Sequence, residues 1–147
     1  MRTTVPFMAA LLALAGCGDA EPAPAPTPAA TVRLPAVPGR PAAGYFELRI
    51  SGDRGALLSV TSPQAGRVEL HETMTEGNMT SMRPLDRIAV REGEILSFRP
   101  GGRHLMLFEL QRDLAAGGRI DLVLHFERGA PETLAAELVP TGGDVGP

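Results

Sequence analysis

Arg99-Pro100-Gly101-Gly102-Arg103-His104-Leu105-Met106-Leu107 is the stretch that decides how this chain reads. Pro-Gly-Gly signals a turn, and a strand launched beyond it sends successive side chains to opposite faces. His104 and Met106 then share one face, while Leu105 and Leu107 occupy the other. One face suits a hydrophobic core, and the other carries an imidazole and a thioether.

The same pattern recurs upstream. In 67–72, Val68 and Leu70 share a core face and His71 falls on the opposite side, at the end of the run. Met82 follows a loop containing Gly77 and Asn78 and stands just before Pro84, where the backbone is unsuited to a helix. Six further short runs read as strands: 45–50, 56–61, 87–90, 95–99, 119–127 and 133–139, with 105–110 continuing the opening stretch. Ser51-Gly-Asp, Gln64-Ala-Gly, Glu92-Gly and Ala116-Gly-Gly separate them as turns. Only 113–116 hints at a helical turn. Eight strands at this spacing predict an all-β domain, a sandwich or Greek-key barrel, whose loops and strand ends would gather the candidate donors at one pole. With no Trp and one Tyr, the core must be mainly aliphatic, and Tyr45, Phe46, Phe98, Phe108 and Phe126 read as packing residues.

Residues 71–106 hold two of the three histidines and four of the six methionines, with no cysteine among them. Imidazole and thioether donors together suit a soft ion, and among biological metals Cu(I) accepts thioethers readily. Thioethers need no deprotonation and form no disulfides, which fits an oxidising compartment. Imidazole must be neutral to bind, so affinity is expected to fall on acidification.

The amino terminus predicts export. Arg2 precedes an apolar run from Val5 to Gly16, too short to span a bilayer as a helix but of the length of a signal-peptide core. Residues 1–16 are read as that peptide. Leu14-Ala15-Gly16-Cys17 resembles the lipobox of bacterial lipoproteins, so Cys17, the single cysteine, is the expected lipidation site and no metal ligand. Gly18 in place of Asp leans toward the outer membrane by the same resemblance. The expectation is a periplasmic lipoprotein whose lipid anchor is its only membrane contact. Seven of the fourteen prolines fall in 18–41, including Glu21-Pro-Ala-Pro-Ala-Pro-Thr-Pro28, so 17–41 reads as the lipidated cysteine and an extended tether. At about 3.1 Å per residue such a tether reaches roughly 70 Å. The folded domain is expected at 42–140 and a flexible tail at 141–147.

Formal charge is −3, and all fourteen basic residues are arginines scattered along the chain, which argues against a nucleic-acid partner. An enzyme is not expected: His71-Glu72 lacks the second histidine of a zinc-protease helix, and no Ser-His-Asp grouping stands out. Blue-copper electron transfer requires a cysteine ligand.

The spacings carry a resemblance. Ten residues separate His71 from Met82, twenty-one separate Met82 from His104, and one separates His104 from Met106. This matches the signature of the PCu(A)C family of periplasmic copper chaperones in spacing and residue type. Arg67-Val-Glu-Leu-His-Glu-Thr73, Ser81-Met-Arg-Pro84, the opening stretch and Ile120-Asp-Leu-Val-Leu are similar too, so the resemblance spans about 42–140. It implies a cupredoxin-like β-sandwich that binds Cu(I) through His71, Met82, His104 and Met106 and delivers it to cytochrome c oxidase, or to another copper chaperone, as a monomer. Glu72 stands where some members carry Met. Met74 and Met79 are candidate auxiliary ligands of a looser second site, with packing as the rival role, and His125 reads as a surface histidine. Copper buffering or resistance would use the same four residues, and a metal-free interaction module on a lipoprotein stalk is a third reading.

Overall fold

The computed structural model describes residues 30–145. The signal peptide, Cys17 and the greater part of the tether lie outside the described residues. Ten strands follow one another: β1 (Ala30–Arg33), β2 (Ala42–Arg49), β3 (Ala56–Thr61), β4 (Ala65–Glu76), β5 (Met79–Pro84), β6 (Ile88–Ala89), β7 (Ile95–Phe98), β8 (Arg103–Leu110), β9 (Arg119–Phe126) and β10 (Glu132–Val139). Among the described residues there is no helix, and 113–116 is turn and coil rather than a helical turn. The all-β reading holds.

Hydrogen bonds join the strands in the order β5-β4-β8-β2-β1-β10-β9-β3-β6, with β7 also on β2. Residues from both ends of that path, Leu70, Leu105 and Leu107 at one and Leu57, Val60 and Ile88 at the other, share one buried cluster. The sheet therefore folds over on itself as a sandwich. Strand alternation accounts for it: Leu105 and Leu107 are fully buried, as are Leu122 and Leu124 on β9, with more exposed residues between them. Phe46 and Phe98 stack at 4.4 Å across the β2–β7 pair. Each such buried side chain stabilises the fold by about 1.5–3 kcal/mol.

Two expected boundaries move. Residues 30–33, assigned to the tether by the prolines around them, form β1, which pairs parallel with β10 and antiparallel with β2. Ala30 and Val32 are completely buried. Among the described residues β1 provides the ladder between the two halves of the sheet, so the domain begins by residue 30 and not 42. The tail also packs back: Arg33 donates to the Gly143 carbonyl, Thr141 Oγ1 donates to the Leu34 carbonyl, and Val145 is buried.

A third difference bears on the site. Residues 79–84, not among the expected strands, form β5, an edge strand of exposed residues paired with β4. Glu76 and Met79 face each other across a two-residue turn, Gly77-Asn78. Gly77 has φ +59, and Asn78 is not among the residues with positive φ. That is the type II′ hairpin turn, which places glycine first.

Candidate metal centre

The β4–β8 ladder sets His71 directly opposite His104 and Glu69 directly opposite Met106. Cross-strand partners in such a ladder share a face, so His71, His104 and Met106 all project to the side away from Leu70, Leu105 and Leu107. On the β4–β5 ladder Thr73 faces Met82. Thr73 lies two residues beyond His71, which brings Met82 to that same face. Three adjacent strands thus contribute four donors to the outer surface of one half of the sandwich. The hairpin turn controls this arrangement, because a one-residue slip of β5 would send Met82 to the other side.

Met74 and Met79 do not join the group. Met74 pairs with Ser81 and Met79 with Glu76, so both lie on the opposite face of the hairpin, with the Glu72–Arg83 ion pair at 2.8 Å. Met79 is 78% exposed and Met74 39%. His125 lies on β9, separated from β8 by three strands in the sheet order, and shares a 2.8 Å hydrogen bond with Thr61.

The loop before β8 is shaped for its role. Residues 95–98 pair with β2 up to Phe46, and pairing resumes with Gly44 opposite Leu105. Along β2 the intervening 99–104 stand opposite a single residue, Tyr45, with Arg103 and His104 already paired to β4. Gly102 N–H donates to the Arg99 carbonyl, Pro100 occupies the second turn position, and Gly101 has φ +79. This is the residue pattern of a type II turn. The Gly102 carbonyl then accepts two hydrogen bonds, from Thr73 N–H at 3.0 Å and from His104 Nδ1–H at 3.1 Å. A carbonyl only accepts, so His104 carries its proton on Nδ1 and leaves the Nε2 lone pair for a ligand.

His71 is held differently. Its Nε2 lies 2.9 Å from Glu69 Oε2, and its Nδ1 is buried with no hydrogen-bond partner. A buried, unpartnered acceptor nitrogen costs free energy unless something occupies it. The two imidazole centroids are 5.9 Å apart and tilted by 35°. Metal–nitrogen bonds run about 2 Å, so that separation leaves room for one ion between the rings. His104 is 7% exposed and Met82 62%. Beside them lies a depression of about 260 Å³, lined chiefly by Ala43, Tyr45, Thr73, Pro100, Met82 and Met106. A larger groove around Leu34, Arg40, Leu110 and Leu114 sits at the far end of β8, about 20 Å from His104 by strand rise, and contains none of the four donors.

Residues 27–138 match the family model described as LpqE-like lipoprotein. The chain belongs to the LpqE-like family. A protein of Leifsonia xyli subsp. xyli that bears a lipoprotein name, Lxx21020, is 29% identical over 92% of this chain and 87% of its own length. The uncharacterised RP573 of Rickettsia prowazekii is 30% identical over 56% of this chain and 47% of its own. Among solved structures, the copper-bound PCuAC domain from PmoF2 superposes with a TM-score of 0.61 at 22% identity, covering 77% of this chain and 90% of that domain. CuI-DR1885 from Deinococcus radiodurans gives a TM-score of 0.59 at 26% identity, covering 75% and 74%. This LpqE-like chain therefore has the PCuAC fold, the cupredoxin-like architecture that the motif spacing implied.

Sequence reading had named the four candidate donors but not the groups that hold them. Thr73 and Gly102 act through backbone groups, which no side-chain motif reveals. Glu69 had a readable signal, a carboxylate two residues from His71 and hence on its face in a strand.

Proposed function

We propose that this chain is an exported, lipid-anchored copper chaperone that binds one Cu(I) through His71, Met82, His104 and Met106 and passes it to the copper centres of cytochrome c oxidase. The observation that carries the reading is the register: His71 opposite His104, with Met106 and Met82 on the same face. Two imidazole nitrogens and two thioethers favour Cu(I), a closed-shell ion tolerant of near-tetrahedral surroundings, over harder ions. The solved relatives that share the fold include one copper-bound and one Cu(I)-loaded protein, and the lipoprotein name of a sequence relative supports anchoring at Cys17.

The site's asymmetry suits transfer. His104, on β8 and paired with β4, is buried, whereas Met82 stands exposed on an edge strand. A thioether is a weak donor, so an incoming acceptor ligand displaces Met82 first and the ion moves by stepwise exchange. Anaerobic competition of the Met82→Ile/Met106→Ile double variant against a Cu(I) chelator tests the site. Unchanged copper retention would sink it in favour of a metal-free interaction module. Transfer to an apo oxidase copper domain separates a chaperone from a copper store.

A further inference from the structure

The geometry points to Glu69 as a positioning residue that selects which nitrogen of His71 faces the metal. This rests on the copper-site reading above and deepens it. Glu69 Oε2 lies 2.9 Å from His71 Nε2, and a carboxylate oxygen only accepts, so the proton of neutral His71 resides on Nε2 and the lone pair on Nδ1. Nδ1 is the buried atom without a partner. His104 is the reverse case, with Nδ1–H held by the Gly102 carbonyl and Nε2 left over. The two imidazoles thus offer opposite nitrogens to one ion, a choice made by a side chain in one case and by the backbone in the other.

Glu69 is itself held. Its Oε1 forms an ion pair with Arg67, 3.0 Å from Nε, and the Arg67 guanidinium rests on the Phe108 ring at 4.3 Å. Arg67 faces Phe108 as Glu69 faces Met106 and His71 faces His104. A row on one sheet face therefore runs from Phe108 through Arg67 and Glu69 to His71. The Arg67–Glu69 pair is solvent-exposed and adds little to stability. Its effect is to keep one carboxylate oxygen turned toward His71. Hydrogen bonds to the outer nitrogen of a ligating histidine fix ring orientation and raise donor strength, and their loss typically costs about 10–100-fold in metal affinity.

The test uses ¹⁵N-labelled protein and long-range ¹H–¹⁵N correlation of the imidazoles, first without metal and then with Cu(I) under anaerobic conditions. Metal-free His71 is expected as the Nε2–H tautomer, with Cu(I) shifting His71 Nδ1 and His104 Nε2. In Glu69→Ala the His71 tautomer becomes mixed and Cu(I) affinity falls about 10–100-fold. Glu69→Gln, whose amide oxygen accepts the same bond without the charge, restores most of it. An Nδ1–H tautomer in the metal-free protein, Cu(I) bound through His71 Nε2, or Glu69→Ala affinity unchanged would each overturn the assignment to Glu69 alone. If Cu(I) shifts no imidazole nitrogen, the copper reading fails and the positioning role falls with it; the metal-free tautomer is read separately and identifies which of the two was wrong.

Discussion

Thr73 and Met82 face each other across the β4–β5 hairpin, and that pairing is what brings the thioether onto the histidine face. It depends on a two-residue turn. Inserting one glycine between Asn78 and Met79 is expected to shift the register and turn Met82 away. Cu(I) affinity should then drop, and Met82→Ile added to the insertion should change it by no more than about twofold, since the interaction has already been lost. Chelator competition on the single and combined variants checks this; additive losses would show that Met82 acts independently of the hairpin.

Gly101 occupies a left-handed conformation with open space where a Cβ would project. Gly101→Ala therefore meets no clash but strains the backbone by about 1–2 kcal/mol. The turn sets the Gly102 carbonyl that orients His104, so Cu(I) affinity should fall together with a modest decrease in unfolding free energy, measured by denaturant titration.

Met74 and Met79 lie on the far face of the hairpin. Replacing both with Ile is expected to leave the affinity of the four-donor site within about twofold, as for substitutions with no shared partner. Any weaker second equivalent of Cu(I) bound by the wild type would disappear. A large loss at the tight site would mean that the hairpin twists enough to bring these thioethers round.

Beginning the chain at residue 42 instead of residue 30 should abolish cooperative unfolding. That truncation removes β1 and with it the ladder joining β2 to β10. Folding free energies of small domains are only about 5–15 kcal/mol, too small to absorb the loss of a buried central strand. Circular dichroism melts of the two truncations make the comparison. In the core, Phe98→Ala should cost about 3–5 kcal/mol, because the ring is 1% exposed and stacked on Phe46.

Strands with one buried face were readable from sequence because burial imposes alternation: 119–127 was expected and β9 runs from Arg119 to Phe126 with Ile120, Leu122, Leu124 and Phe126 buried, and Leu105 and Leu107 were assigned correctly to the core. β5 escaped because all six of its residues are exposed, leaving no period to detect, although Gly77-Asn78 is itself a hairpin signal. β1 was hidden by the prolines on either side of four ordinary residues, and its parallel pairing with β10 joins residues more than a hundred positions apart. The four candidate donors were named through their spacing, and the register sets them on one face. Their orientation was not legible, because it depends on a carboxylate that reads as surface and on a carbonyl that has no sequence signature.

The Gly102 carbonyl binds the end of the β4–β8 ladder and the His104 ring with one oxygen. Zippering of the strand end and aim of the imidazole are consequently one degree of freedom. Fraying of that rung would release the ring while leaving Leu105 and Leu107 sealed in the core. Hydrogen exchange at Thr73 N–H is then expected to report opening at the same carbonyl that aims His104 in the proposed site.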